Sequence, residues 1–250
     1  MVKNMKTLIN EICSLVRKCG KVMFSADREK MAIDIKSGVT DLVTEYDTKI
    51  QMMLFQGLKE IVPDAKFIGE EGSADTFSSE GKFFIVDPID GTTNFIKDYH
   101  HSAISVAFLK NGVVEAGVIY NPYLDEMFYA IKGCGAFCND KKIKVSDRDL
   151  KDGVVLFGTS PYKRELSPKT FEIASEYFNK CLDIRRSGSA ALDLCWVASG
   201  RAELYFELEI SPWDYAAGKL IVEEAGGVVT AMDGQTLSYD KKSSIIARNK

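Results

Sequence analysis

Histidine is scarce in this sequence, which contains only His100 and His101 among its 250 residues. The six cysteines show no disulfide-type spacing, and Cys134 and Cys138 have no second pair of thiols or histidines to complete a four-ligand zinc site. The composition therefore argues against zinc. Scattered free thiols are typical of proteins in a reducing compartment.

Excess positive charge and long apolar runs are also missing. Lysine and arginine total 32 against 36 acidic residues, which gives a net charge of -4. Direct nucleic-acid binders usually carry a strongly basic face, so we expect no direct contact with nucleic acid. No apolar run reaches the roughly 20 residues that cross a bilayer, and Lys3, Lys6 and Glu11 interrupt any signal-peptide pattern. We therefore expect a cytoplasmic protein that contacts no membrane.

The pattern of apolar residues changes near the middle of the chain. The first half combines amphipathic helices with an antiparallel meander, in which Asn111-Gly112 is a strong hairpin signal. From about Gly153, strands alternate with helices. We predict an α/β protein with an α+β half over residues 1–147 and an α/β half over residues 148–250, in one continuous body. The predicted strands are 31–35, 66–69, 83–86, 102–109, 113–120, 126–131, 154–157, 182–184, 202–206 and 227–230, and the predicted helices are 8–23, 45–62, 171–178, 189–197 and a segment after Trp213.

An apolar strand over residues 83–86 runs directly into Asp87-Pro88-Ile89-Asp90. Asp87 is thus expected at the carboxyl end of the strand, where open α/β sheets place ligand crevices. Because Pro88 lacks an N–H, we expect it to turn the chain out of the sheet, so that Asp90 folds back beside Asp87. Two carboxylates so close repel each other unless a cation lies between them. Oxygen ligands without histidine or cysteine favour Mg²⁺.

Gly91, Thr92 and Thr93 come next and suit the first turn of a short helix, whose free N–H groups can bind an anion. An acidic surface turn with a threonine cap is the simpler alternative. The buried strand before this turn and the Gly-Thr-Thr after it favour a combined metal and phosphate site. Phosphatases of the haloacid-dehalogenase type, with an aspartyl nucleophile, carry their two acids closer together than Asp87 and Asp90.

Two further acids stand at boundaries of predicted elements. Glu70, within Gly69-Glu70-Glu71-Gly72, follows a short apolar strand, and Asp214 begins a helix rich in small residues. Taken alone, Glu70 suits a solvated loop and Asp214 suits a helix N-cap. Together with the Asp87 motif they supply the acids that a site with several magnesium ions needs.

Taken in order, these motifs resemble those of the inositol monophosphatases, and the resemblance covers nearly the whole chain. The motifs are Lys36, Asp41-Leu-Val-Thr44-Glu-Tyr-Asp47, Gly69-Glu70-Glu71, Asp87-Pro-Ile-Asp90-Gly-Thr-Thr, Trp213-Asp214-Tyr-Ala-Ala-Gly and Glu224-Ala-Gly-Gly227. Several motifs in order are more specific than any one of them. The resemblance implies a layered αβαβα sandwich of the inositol monophosphatase and sugar phosphatase type, two or three Mg²⁺ ions, lithium sensitivity and a homodimer.

The resemblance also implies roles for individual residues. It assigns the metal ions to Glu70, Asp87, the carbonyl of Ile89, Asp90 and Asp214, and the catalytic work to Glu70, Thr92 and Asp90. It assigns the phosphate to Gly91, Thr92 and Thr93. The substrate pocket would be formed by Gly188, Ser189, Ala190, Glu207 and Arg185. By the same resemblance, Lys36, Asp41 and Asp47 would form an outer site. Alternatively, Glu207 is an exposed strand-end acid, Arg185 is a surface cation, and the outer residues are ordinary surface charges.

The implied reaction is magnesium-dependent hydrolysis of a small phosphorylated metabolite, first of all myo-inositol monophosphate, by in-line attack of a metal-activated water. Related enzymes act on fructose 1,6-bisphosphate, histidinol phosphate or phosphoadenosine phosphate. The Thr-Thr-Asn-Phe ending of the main motif favours inositol phosphate over the nucleotides. A hypothesis of another class is a regulatory or binding module in an RNA or transcription complex. Because the complete set of expected acids is present, the sequence favours the phosphatase over the binding module.

Overall fold

The computed structural model describes residues 4–35, 42–72 and 75–249. Two helices open the fold. Helix α1, Met5–Phe24, begins where the Asn4 side chain accepts a 3.0 Å hydrogen bond from the Lys6 amide. Strands β1, Ile33–Ile35, and β2, Leu42–Thr44, form a small antiparallel pair, and helix α2, Glu45–Ile61, follows at once. Thr44 and Asp47 form the capping box of α2 that the sequence indicates.

A seven-stranded sheet forms the centre of the first half. Its strands, in both spatial and chain order, are β3, Lys66–Gly69; β4, Lys82–Asp90; β5, Ala103–Lys110; β6, Val113–Asn121; β7, Glu126–Ile131; β8, Gly135–Cys138; and β9, Lys141–Ile143. Strands β3 and β4 are parallel, and all the other neighbours are antiparallel. The predicted hairpin turn is confirmed, since Asn111 and Gly112 both have the positive φ that such a two-residue turn requires.

Strand β4 differs from the prediction at Pro88. The strand does not leave the sheet there but continues to Asp90, with a shift of register between Asp87 and Asp90. Asp87 faces Ser105 and Asp90 faces Ala103, so β4 has one residue more than β5 over this interval. This bulge brings both acids to one face of the sheet, whereas regular alternation would put them on opposite faces.

A five-stranded sheet forms the centre of the second half. It contains β10, Val154–Phe157; β11, Asp183–Arg185; β12, Leu204–Ile210; β13, Val228–Thr230; and β14, Ser243–Arg248, in the order β11-β10-β12-β14-β13. Strand β10 is parallel to β11 and β12, whereas β14 is antiparallel to its neighbours. The helices are α3, Thr92–Ile96; α4, Ser167–Phe178; α5, Ala190–Ala198; and α6, Pro212–Glu224. Among these strands, β14 was not predicted.

The layers follow the expected αβαβα order. Helices α1 and α2 cover the outer face of the first sheet, α5 and α6 lie between the two sheets, and α4 covers the second sheet. Small residues permit this close packing: a Cβ added to Gly117 of β6 would lie 2.8 Å from the carbonyl oxygen of Ala217 in α6. One buried cluster combines residues of both sheets with α5 and α6. No helix in the described residues is long and apolar enough to cross a membrane.

Candidate metal centre and cleft

Asp87 and Asp90 lie at the end of a strand that is buried along almost its whole length. Their relative exposures are 1% and 6%. The backbone N–H of Ile89 donates a 3.0 Å hydrogen bond to Oδ1 of Asp87, which fixes this carboxylate across the bulge. The bulge therefore holds two acids in a buried position that a regular strand could not provide.

Asp214 reaches the same place from the second half of the chain. It lies in the first turn of α6, where its Oδ2 accepts a 2.9 Å hydrogen bond from the Ser211 N–H. Asp87, Asp90 and Asp214 each offer a carboxylate oxygen, and these atoms lie within 4.8 Å of one another. The structure thus brings Asp214, from the second half of the chain, beside the neighbouring Asp87 and Asp90.

The electrostatics of this cluster favour the binding of cations. Burial raises the pKa of Asp87 well above its ordinary value, and repulsion from Glu70, Asp90 and Asp214 raises it further. Burial also raises the pKa of Asp90 to about 7, against the opposing hydrogen bond from Ser189. For Asp214, burial and the charge of Asp90 raise the pKa well above its usual range. Without a cation these acids keep their protons to higher pH than ordinary carboxyl groups do, whereas a divalent ion would stabilise all three carboxylates.

The donor set fits magnesium. The ligand atoms that converge are carboxylate oxygens, with no histidine or cysteine in the described cluster. Hard oxygen donors of this type select Mg²⁺ over zinc.

Glu70 lies beside this cluster and lines the same cleft. It follows β3, which is parallel to β4 with Gly69 opposite Val86, so Glu70 and Asp87 leave neighbouring strands at the same edge. The Thr92 hydroxyl is buried, 3.1 Å from the Ile89 carbonyl oxygen and 3.4 Å from Oδ1 of Asp47.

Asp47 is the one outer-site residue that the structure describes, because Lys36 and Asp41 lie outside the described residues. Asp47 is fully buried, and its Oδ2 accepts hydrogen bonds from both the backbone N–H and the hydroxyl of Thr44. It is thus not a surface charge, and it joins the cap of α2 to Thr92.

Helix α3 begins directly after the acids. Its N-cap residue, Gly91, has a φ of +88°, and an added Cβ would lie 3.0 Å from the Gly188 carbonyl oxygen. Glycine is therefore required here both by conformation and by space. The Asn94 side chain donates hydrogen bonds to the carbonyls of His101 at 2.7 Å and Ser187 at 2.9 Å. Thr93 is exposed and lines the cleft.

The second half contributes the start of α5. The Ser189 hydroxyl donates a hydrogen bond to Oδ2 of Asp90, and the Ala191 N–H donates to the same oxygen at 2.9 Å. Gly188, Ser189 and Ala190 all line the cleft. The sequence interpretation missed Ala191, because a backbone donor leaves no mark on the residue type.

Glu207 is buried rather than exposed, with 8% relative exposure. Its Oε2 accepts a 2.6 Å hydrogen bond from the Tyr205 hydroxyl, and its Oε1 accepts one of 2.7 Å from the Ser160 N–H. Burial raises the pKa of Glu207. The alternative of an exposed strand-end acid therefore does not hold.

These residues surround one cleft of about 1060 Å³, including its open mouth. Arg185 is not part of the lining, because its guanidinium pairs with Asp183 and bonds the Ile184 carbonyl. The adjacent Arg186 lines the cleft instead. Other lining residues that the sequence interpretation did not name include Asp193, Tyr205 and Lys242. Of these, Asp193 had a signal in the sequence, as the one charge within the apolar helix α5.

Comparisons with known proteins agree with this geometry. The sequence profile of the inositol monophosphatase family matches residues 4–250. The Nus factor SuhB of Vibrio cholerae is 36% identical over 245 residues, which cover 97% of this chain and 91% of that protein. The crystal structure of the extragenic suppressor protein suhB from Bartonella henselae has a TM-score of 0.90 and 35% identity, and covers 98% of this chain and 94% of that one. An IMPase/NADP phosphatase complexed with Mg²⁺ and phosphate has a TM-score of 0.88 and 27% identity, and covers 99% of this chain and 92% of that one.

Proposed function

This chain belongs to the inositol monophosphatase family, and we propose that it hydrolyses small phosphate monoesters with the help of Mg²⁺. The observation that carries this proposal is the convergence of Asp87, Asp90 and Asp214, whose oxygens lie within 4.8 Å of one another. The description of a related phosphatase as a complex with Mg²⁺ and phosphate supports the choice of metal.

In the proposed site, the three aspartates, Glu70 and the Ile89 carbonyl would hold two or three Mg²⁺ ions. When bound, such ions would supply Lewis-acid stabilisation of the phosphate and a water of lowered pKa. The protein keeps these ligands in a buried cleft, where charges interact more strongly than in bulk water. The hydrogen bonds from Ser189 and Ala191 orient Asp90 before any ion arrives.

Glu70 and Thr92 orient the attacking water, and the Glu70 carboxylate accepts its proton. The Thr92 hydroxyl donates towards the Ile89 carbonyl and Asp47, which leaves its oxygen free to accept a hydrogen bond from the water. Gly91, Thr92 and Thr93 bind the phosphate oxygens through N–H and hydroxyl groups. In-line attack then needs no covalent bond between the protein and the phosphoryl group.

The leaving alcohol occupies the part of the cleft formed by the second half of the chain. Gly188, Ser189, Ala190 and Glu207 surround it, and Glu207 accepts hydrogen bonds from its hydroxyl groups. Myo-inositol monophosphate is the substrate that we place first. Fructose 1,6-bisphosphate, histidinol phosphate and phosphoadenosine phosphate are the alternatives, and the name of the related IMPase/NADP phosphatase shows that members with nucleotide substrates share this fold.

A screen of phosphate release tests this proposal. Purified protein with ample Mg²⁺ is expected to release phosphate from at least one of the four compounds, and to lose this activity with a chelator or with Asp90→Asn. Lithium chloride is expected to inhibit phosphate release more strongly than sodium chloride does at the same concentration. If none of the four compounds released phosphate, the proposed phosphatase activity would be refuted.

A second candidate function is a regulatory or binding module in an RNA or transcription complex. Curated relatives carry the name Nus factor, and this favours the second candidate over a role confined to inositol monophosphate. The two functions are compatible, because Glu70, Asp87, Asp90 and Asp214 line the cleft and leave the outer surface for partners. The net charge of -4 favours a protein partner over direct contact with nucleic acid. A pull-down of transcription proteins that is unchanged by Asp90→Asn would support this role, and a pull-down that recovers none would reject it.

We also propose that the chain acts in the cytoplasm as a homodimer, and that its halves divide near residue 147. Light scattering during size-exclusion chromatography measures the oligomeric state directly. Twice the monomer mass is expected, and a monomer at micromolar concentration would reject the dimer.

A further inference from the structure

Strand β5 has two buried serines at its start, and the mechanism above gives neither of them a role. Ser102 directly precedes the strand and is fully buried, and Ser105 is 1% exposed. Ser105 interrupts an otherwise apolar row of β5, whose other members belong to the buried cluster between the two sheets: Ala103, Ala107 and Leu109. A serine in such a row must direct its hydroxyl to an acceptor inside the protein.

The hydroxyl of Ser105 bonds the first turn of α6. It donates a 3.3 Å hydrogen bond to the carbonyl oxygen of Trp213, the residue before Asp214. The N–H of Asp214, at the other end of the same peptide unit, donates a 3.1 Å hydrogen bond to the carbonyl of Ser211. Because a peptide unit is planar, these two bonds fix the orientation of the unit that leads into Asp214.

Ser105 also lies directly opposite Asp87 in the register of β4 and β5. Opposite residues of an antiparallel pair project from the same face of the sheet, with Cβ atoms about 4.5–5.5 Å apart. Ser105 thus lies beside one acid of the cluster and holds the backbone next to another, Asp214. It is therefore in a position to set the spacing between these two acids.

The hydroxyl of Ser102 makes the corresponding bond on the phosphate side of the cleft. It donates a 2.9 Å hydrogen bond to the carbonyl oxygen of Gly91, which also accepts a 3.0 Å hydrogen bond from the N–H of Phe95. The carbonyl of Gly91 and the N–H of Thr92 belong to one planar peptide unit and point in opposite directions. The bond from Ser102 therefore fixes the direction of the Thr92 N–H, one of the groups proposed to bind phosphate.

We propose that both serines are positioning residues, of which Ser105 aligns the metal centre and Ser102 aligns the phosphate site. This inference rests on the phosphatase function proposed above. Ser105 acts through the backbone of Asp214, and Ser102 acts through the backbone of Thr92, so neither serine is itself a ligand. One strand then aligns the two parts of the site independently of each other.

Separate measurements of metal binding and phosphate binding test this division. Titration of Ser105→Ala with Mn²⁺, followed by electron paramagnetic resonance, should give a dissociation constant about 10-fold above that of wild type, because groups that orient metal ligands contribute to affinity on this scale. Raising the Mg²⁺ concentration should restore the activity of this variant. At saturating Mg²⁺, its inhibition constant for inorganic phosphate should change by less than about twofold, since the two serines share no partner.

Ser102→Ala is expected to show the opposite pattern. Its inhibition constant for inorganic phosphate should rise by about 3- to 10-fold at saturating Mg²⁺, because the Thr92 N–H loses its fixed direction. Its dissociation constant for Mn²⁺ should change by less than about twofold. Raising the Mg²⁺ concentration should not restore the activity of this variant.

Ser199→Ala is the matched control. The Ser199 hydroxyl donates a 2.8 Å hydrogen bond to the Cys195 carbonyl at the end of α5, and this residue is not part of the cleft lining. Both constants should stay at their wild-type values. The melting temperature of all three variants should fall by only about 2–4 °C, as expected for the loss of one hydrogen bond. Ser105→Cys, which keeps a side chain of similar shape but donates only weakly, should weaken Mn²⁺ binding as well, and it replaces Ser105→Ala if that variant does not fold.

The results that contradict the inference differ from those that contradict the function. Equal changes of both constants in both serine variants would show that the two bonds only stabilise the fold. Unchanged constants would show that the bonds do not align the site. Either result overturns the inference while the phosphatase function stands. Wild-type protein that binds neither Mn²⁺ nor phosphate would refute the proposed function and this inference with it.

Discussion

The backbone N–H of Ala191 donates a 2.9 Å hydrogen bond to Oδ2 of Asp90, across 101 positions of sequence. Asp90 ends a strand of the first sheet, and Ala191 lies at the start of a helix between the sheets. Because this bond joins the two halves at the acid cluster, the geometry of the candidate metal centre depends on how the halves pack together.

Replacing Asp90 with asparagine is expected to abolish most of the activity without unfolding the protein. Asparagine can still accept from Ser189 and Ala191, but it removes a negative ligand from the cluster. Phosphate release should fall at least about 100-fold. Asp149→Asn, which alters an acid whose side chain is 80% exposed, is the control and should keep wild-type activity. Comparable activity of the two variants would contradict the role of Asp90.

The stability of metal-free protein is expected to fall as pH rises from about 4 towards 7. Burial raises the pKa of Asp90 from its ordinary 3.8 to about 7, and those of Asp87 and Asp214 rise as well. In this interval the folded state binds more protons than the unfolded state, so the free energy of unfolding decreases with pH. Thermal unfolding in a chelator measures this change. Added Mg²⁺ should raise the melting temperature most at pH 8, and a metal-free protein that is more stable at pH 8 than at pH 5 would contradict the account.

Gly91→Ala is expected to destabilise the fold by about 1–3 kcal/mol through the positive φ, and by more through the contact with the Gly188 carbonyl. Gly234 has a similar φ of +84°, but an added Cβ would meet nothing within 4 Å. Gly234→Ala therefore isolates the conformational cost. Chemical denaturation should show a larger loss for Gly91→Ala, and equal losses would show that the contact with Gly188 is unimportant.

Thr92→Val is expected to lower kcat by about 10- to 1000-fold, because it removes the hydroxyl that orients the attacking water. Thr170 offers a matched control, since it is fully buried and its hydroxyl also lies 3.1 Å from a backbone carbonyl oxygen, that of Leu166. Thr170→Val should lose a similar amount of stability and keep its activity. Equal kcat values for the two variants would remove Thr92 from the mechanism.

Local features of the fold could be predicted from the sequence, and these predictions are confirmed. The capping box of Thr44 and Asp47 and the Asn111-Gly112 turn depend on neighbours a few residues apart. The strands β2, β8, β9 and β14 were not predicted, although other strands of three to six residues were, so their length alone does not explain the omission. The bulge after Asp87 also escaped, because it depends on the register with β5.

The acids of the candidate site could be named from their motifs, but their surroundings could not. Ser189 and Ala191 contact Asp90 from distant positions of the chain, and Tyr205 and Ser160 bury Glu207. Arg185 and Arg186 are adjacent in sequence, and only the path of the chain after β11 decides which one lines the cleft. The boundary of the halves near residue 147 stays a prediction.

Anomalous diffraction from crystals soaked in manganese chloride tests the central claim most directly, because Mn²⁺ replaces Mg²⁺ on oxygen ligands. The account predicts at least one strong peak within about 2.0–2.3 Å of carboxylate oxygens of Asp87, Asp90 and Asp214. A map without a peak among these three aspartates, or with peaks only at other sites, would contradict it.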